Sequence, residues 1–107
     1  MEISIILQSN KPERVWNAFR LGITALKADR QANIFLMNEG SELDVIVDTE
    51  DFDISAKVAE FKELKGEIFA CGACLKLRGK EENKICSIST MSDLLKMIEN
   101  SDKVLVF

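Results

Sequence analysis

Three cysteines and no histidine define the chemistry open to this chain. Without an imidazole there is no Ser-His-Asp or Cys-His nucleophile pair, no His-based metalloprotease site and no imidazole acid–base relay. Thiol, carboxylate, lysine and backbone groups remain, and the thiols carry most of the functional question. Two of them lie in Ile68-Phe69-Ala70-Cys71-Gly72-Ala73-Cys74-Leu75-Lys76-Leu77-Arg78-Gly79. An apolar run ends at Cys71, and a short helix is expected to begin around Gly72–Cys74 and stop by Gly79. A thiol so placed faces unpaired N–H groups and the positive end of a helix dipole, both of which favour thiolate. Lys76 and Arg78 add positive potential, and Gly72 lets the backbone turn tightly beside the sulfur.

Three chemistries use such a C-x-x-C. Zinc takes four soft or nitrogen ligands, and three cysteines without histidine fall short unless subunits share a site. No metal and no cofactor is therefore expected. Thioredoxin-like disulfide exchange has the right spacing. It also needs a cis-proline loop, and the one proline, Pro12, belongs to the first helix. Sulfur carriage, in which a thiolate holds a sulfane sulfur as a persulfide, needs only the polarised thiol. Cys86 lies in the loop before the last helix and is a candidate resolving thiol; its plain alternative is a small buried hydrophobe.

These residues need elements to position them. Ile3–Leu7, Asn33–Met37, Glu67–Ala70 and Lys103–Phe107 are short continuous apolar runs, as expected for strands covered on both faces. Val45-Ile46-Val47 is a candidate fifth. Between them, Val15, Phe19, Ile23 and Leu26 recur at helical spacing, with Asn10 and Glu13 as an expected capping pair and Pro12 in the first turn. Val58, Phe61 and Leu64 mark a second helix with Gly66 as its expected C′ residue. Met91, Leu94, Leu95 and Ile98 mark the last. Periodicity assigns Trp16, Phe19, Met91 and Met97 to the core. The alternation predicts an α/β protein, a three-layer α/β/α sandwich with a mostly parallel four- to five-stranded sheet, as one domain over residues 1–107. In such folds ligands bind beyond the carboxyl ends of the strands. Gln8, Ser9 and Asn10 leave the first strand there, and Asn38 and Glu39 the second.

Charge narrows the partners. The net charge is −4, against a protein built to neutralise nucleic-acid phosphates. No apolar run is long enough to span a membrane. The start lacks the basic region and cleavage site of a signal peptide, and an odd cysteine count suits a reducing compartment, so a cytoplasmic location is expected. Seven acidic residues and no basic one lie between Glu39 and Asp53, while Lys57–Lys84 holds seven basic residues. The acidic stretch is expected to be either a solvated loop or a mobile segment that screens the site or docks a basic partner.

The Ala70–Gly79 stretch resembles the signature of the small DsrE/DsrF-like (YchN-like) proteins. Gln8-Ser9-Asn10-Lys11-Pro12, Trp16-Asn17-Ala18, Phe35-Leu36-Met37-Asn38-Glu39-Gly40 and Ser89-Thr90-Met91-Ser92-Asp93-Leu94-Leu95 agree with it, so the likeness spans nearly the whole chain. It implies a five-stranded α/β/α sandwich, a homo-oligomer (trimer or hexamer) and a link to sulfur relay with donor and acceptor proteins. In such relatives a single cysteine, seven positions before an arginine that precedes glycine, carries the persulfide. Counting back from Arg78 points to Cys71; Cys74 departs from the single-cysteine pattern. The expected activity is thus a sulfur carrier with Cys71 as nucleophile, Cys74 beside it, and the helix N-terminus with Lys76 or Arg78 stabilising the thiolate. A dithiol redox switch or reductant and a non-catalytic oligomeric interaction subunit are the alternatives.

Overall fold

The computed structural model describes residues 1–82 and 85–107. In chain order the elements are β1 (Glu2–Leu7), α1 (Pro12–Lys27), β2 (Gln31–Leu36), a 3-10 segment (Asn38–Val45), α2 (Ile54–Glu63), β3 (Glu67–Cys71), α3 (Gly72–Leu77), β4 (Ser87–Ser89), α4 (Met91–Asn100) and β5 (Lys103–Val106). Among the described residues the strands form one five-stranded sheet of order β4-β3-β2-β1-β5, with every pairing parallel. The expected α/β sandwich and the four apolar strands are present. β5, however, is an edge strand exposed along its length and is not covered on both faces as its apolar run suggested.

The fifth strand is elsewhere than expected. Val45 closes the 3-10 segment, and Val45 and Val47 are exposed, so Val45-Ile46-Val47 builds no strand. The added strand is the short, polar Ser87–Ser89, which pairs with Phe69–Cys71 at the sheet edge. Three residues with two serines give no apolar run to read.

From β1 to β4 the chain steps across the sheet in one direction, then returns to set β5 beside β1. Right-handed crossovers therefore put α1 and α2 on one face and α4 on the other. Val15, Phe19 and Phe61 pack on the first face against Ile5, Ile34 and Ile68. The Phe61 ring meets Phe19 edge-on at 5.5 Å and fills the space beside Gly22 and Gly66, where an added Cβ would lie 2.7 and 2.5 Å from it. The second face is thin. Phe35, Cys71 and Leu94 are buried there, with Ile6, Phe69, Cys74 and Met97 partly covered.

Helix ends follow local chemistry with three departures. Lys11, not Asn10, is the N-cap of α1 and gives no side-chain cap; Ser9 Oγ accepts from Lys11 N–H at 3.0 Å instead. Asn10 is drawn away to Glu42. The left-handed residue after α2 is Lys65 at φ 74°, one before Gly66. Asp53 caps α2 through Ala56 N–H, and Thr90 with Asp93 forms a reciprocal capping box on α4. Met91 is not core: it is 53% exposed, because among the described residues α4 is the one helix on its face of the sheet and turns Leu94 and Met97 inward instead. Trp16 is half-buried against Phe52, with Arg20 over its ring, while Phe19 is fully buried as expected. Lys84, the last residue of the basic run, lies outside the described residues.

Candidate functional site

Parallel strands end together, and the cysteines sit on that rim. Ala70 pairs with Leu36, and Cys71 pairs with Ser89. Strand alternation turns Cys71 to the α4 face with Phe69, where it is 5% exposed beside Phe35 and Leu94. Cys71 is the N-cap residue of α3, so Cys74 follows one helical turn later. Cys74 is half-buried in the same cluster. Gly72 keeps the turn close to β4: a Cβ there would lie 3.3 Å from Ile88 Cγ2 and 3.4 Å from Ser89 O.

The 3-10 segment closes over Cys74. It is fastened to the end of β1, where Leu7 O accepts from Met37 N–H at 3.0 Å and Gly40 lies against the same carbonyl. A Cβ on Gly40 would sit 2.0 Å from Leu7 O, so only glycine allows this approach. Asn38 adopts φ 51° and aims its backbone N–H at Cys74 Sγ, 3.4 Å away, while its side-chain amide donates to Gln8 Oε1 at 3.2 Å. Three residues on, Ser41 is buried, and among the described residues its hydroxyl has no hydrogen-bond partner of its own. Its dipole acts on the Cys74 sulfur.

Burial pushes the Cys74 thiol up, but the opposing groups win. The Asn38 N–H, the Cys71 and Ser41 side chains and the Arg78 guanidinium together hold Cys74 below its ordinary value of 9.0. Arg78 is itself anchored. Its Nη1 donates to Cys74 O at 3.1 Å and its Nε to Glu42 Oε2 at 3.0 Å. Asn10 Nδ2 donates to the other Glu42 oxygen at 3.2 Å. The Arg78 and Asn10 hydrogen bonds keep the Glu42 carboxyl below its ordinary range. Lys80 pairs with Asp44 at 3.0 Å. The acidic stretch is therefore no free solvated loop in its first half: Glu42 and Asp44 clamp it onto the basic end of α3.

Several expected residues fall in place and others do not. Asn38, Gly72 and Arg78 meet at the Cys71–Cys74 turn, and Asn10 is linked to it only through Glu42 and Arg78. Lys76 is exposed, and the charge acting on Cys74 is that of Arg78. Glu39 is exposed and lines a surface cleft with Gln8, Ser9, Asn10, Lys11 and Arg14. Cys86 packs with Leu36, Ser41, Leu43 and Leu75 against the α1–α2 core, whereas Cys71 belongs to the α4-side cluster. That placement favours its plain alternative, a small apolar filler. Sequence reasoning missed Ser41 and Glu42. Gly40, demanded by the Leu7 carbonyl, is the signal that the chain doubles back there. The arrangement amounts to one polarised, partly exposed sulfur beside a buried thiol, with no histidine in the chain to activate either.

The chain is similar to known proteins along most of its length. An uncharacterised protein of Methanocaldococcus jannaschii is 35% identical over 104 residues, covering 89% of this chain and 88% of that one. One of Methanopyrus kandleri is 31% identical over 105 residues, covering 89% and 83%. In fold the chain is similar to the crystal structure of the YchN protein of E. coli, with TM-score 0.84 and 20% identity over the whole of both chains. A conserved protein of unknown function from Bacteroides thetaiotaomicron matches with TM-score 0.78 and 16% identity, covering 99% of this chain and 94% of that one. The sequence pattern of the DsrE/DsrF-like family matches residues 1–107, and the chain belongs to that family.

Proposed function

We propose that this protein is a sulfur-relay carrier that holds sulfane sulfur as a persulfide on Cys74. Family membership implies a sulfur-relay role. The observation that carries the assignment to Cys74 is the Asn38 N–H directed at its sulfur. Counting back from Arg78 favours Cys71, but Cys71 is buried, and a donor of any size meets Cys74 first. With no histidine in the chain, the nucleophile has to stand as thiolate before the donor arrives. The thiolate attacks the outer sulfur of a persulfide or polysulfide. A bond forms from Cys74 Sγ to that sulfur, the donor's sulfur–sulfur bond breaks, and the donor leaves as thiolate. An acceptor thiolate removes the sulfur by the same exchange. Such chemistry suits a reducing compartment, and the cytoplasm is its proposed place. Among the described residues no helix is long and apolar enough to cross a membrane.

The thin face of the sheet supports self-association as a homo-oligomer, a trimer or hexamer. Met91, Leu95 and Ile98 on α4 and Val106 on β5 are exposed apolar side chains. Light scattering should give a multiple of the chain mass, and Leu95→Glu should lower it; a monomeric wild type removes this part.

Treatment with inorganic polysulfide, followed at once by intact-mass analysis, tests the carrier reading. One added sulfur is expected on wild type, Cys71→Ser and Cys86→Ser, and none on Cys74→Ser. An adduct that survives Cys74→Ser and vanishes in Cys71→Ser moves the nucleophile to Cys71. No adduct on any cysteine ends the reading.

A further inference from the structure

We infer that Cys71 is a resolving thiol, which converts sulfur carried on Cys74 into free hydrosulfide and leaves a Cys71–Cys74 disulfide. This rests on the carrier reading with Cys74 as the loaded residue. It goes beyond carriage, because it gives the site a second, reductive exit for the same sulfur.

Three observations carry it. First, exposure runs opposite to the order that would let Cys71 serve as the entry thiol: Cys71 is almost fully buried and Cys74 is reachable. A group that external reagents cannot approach acts only on its neighbour. Second, that neighbour is Cys74, which packs in the same cluster on the α4 side of the sheet. Cys71 at the N-cap and Cys74 one turn on have the separation that bridged C-x-x-C turns use. Third, Gly72 and Ala73 between them are small. The surroundings of Cys71 are the apolar Phe35 and Leu94, which exclude water and competing thiols.

The step balances without an outside reagent. Cys71 Sγ attacks Cys74 Sγ, the inner sulfur of the persulfide. The Cys71 Sγ–Cys74 Sγ bond forms, and the bond from Cys74 Sγ to the outer sulfur breaks. The outer sulfur takes the bonding pair and the Cys71 proton and departs as HS⁻. The sulfane sulfur is reduced by two electrons, and two cysteine sulfurs are oxidised to one disulfide. A low-molecular-weight thiol or dithiol then reduces the disulfide and resets the site. Transfer to an acceptor thiolate and internal resolution thus compete for one persulfide.

The experiment loads wild type, Cys71→Ser, Cys71→Ala and Cys74→Ser with inorganic polysulfide, removes the excess anaerobically, and follows released sulfide and protein mass. Wild type should release one sulfide per loaded sulfur and finish as an intramolecular disulfide that resists alkylation until reduced. Both Cys71 variants should keep their sulfur, with release slower by about an order of magnitude or more, since an intramolecular nucleophile is lost. Cys71→Ala retains the apolar pocket and guards against a folding defect in the serine variant, with thermal unfolding of both as the check. Equal release from wild type and both Cys71 variants overturns the inference while leaving carriage intact. So does a wild type that loses its sulfur without forming the disulfide. If Cys74 never takes up sulfur, the carrier reading fails first, and the inference falls with it.

Discussion

Gly40→Ala tests whether the 3-10 segment really holds the site together. The added Cβ would lie 2.0 Å from Leu7 O and 2.8 Å from Leu7 C, both backbone atoms that cannot rotate away. Real contacts of this kind stay beyond 3.0 Å, so the segment and the end of β1 must part by about 1 Å. Leu7 O also accepts from Met37 N–H, and that bond stretches or breaks with the shift. Losing it costs about 1 kcal/mol and the residual overpacking about 1–3 kcal/mol, for a total of roughly 2–4 kcal/mol. For a chain of this length each kcal/mol moves Tm by about 4 °C, so a fall of about 8–16 °C is expected by circular dichroism. The site should suffer as well, because Asn38 and Ser41 ride on the displaced segment; alkylation of Cys74 near neutral pH should slow. Gly79→Ala is the control. Gly79 has φ 65° with nothing near its Cβ position, so it should cost about 1 kcal/mol of backbone strain and leave Cys74 reactivity unchanged. A Gly40→Ala protein as stable as wild type, or one with unaltered Cys74 alkylation, would refute the reasoning.

Other perturbations separate stability from reactivity. Ser41→Ala removes a buried hydroxyl with no hydrogen-bond partner among the described residues, so stability should hold or rise by up to about 1 kcal/mol. The same change takes away a dipole that favours the Cys74 thiolate, so the alkylation profile should shift to higher pH. Arg78→Gln should move that profile the same way, and should lower stability only slightly by chemical denaturation because its Glu42 pair is open to solvent screening; Lys76→Gln should do neither. In wild type the alkylation rate should climb with pH as thiolate forms and reach half its maximum below pH 9.0, since Cys74 is held beneath that value; a midpoint at or above 9.0 contradicts the assigned polarisation. Glu42 is depressed below 4.5, chiefly by its hydrogen bond from Arg78. Its contribution to stability is therefore complete above that pH and lost as acid passes through the lowered value. Glu42→Gln should flatten this part of the acid unfolding curve.

What could be read along the chain was whatever left a periodic or apolar trace. Ile3–Leu7 and Glu67–Ala70 are buried strands because both faces of the sheet are covered, and a continuous apolar run records that directly. Ser87–Ser89 left no trace, since an edge strand of three residues is held by its pairing with β3 and not by its own composition. Met91 misled for the opposite reason: its place in a helical stripe says which way it faces but not whether anything covers it. At the site, Cys71, Cys74 and Arg78 were legible because they share one turn. Ser41 and Glu42 come from a segment that reads as polar loop, and what brings them over Cys74 is the long-range approach of Gly40 to Leu7. The separate roles of the two thiols were equally hidden, because burial is a property of the packed sheet face and not of the C-x-x-C spacing.

The central claim is that Cys74 is the polarised nucleophile of the site. Its most direct test is alkylation of the reduced, native protein with limiting iodoacetamide near neutral pH, followed by peptide mass mapping of all three cysteines. Label should accumulate on Cys74 first, with Cys71 and Cys86 modified only after denaturation or long exposure. Label appearing first on Cys71, or spread evenly over the three, would contradict the account.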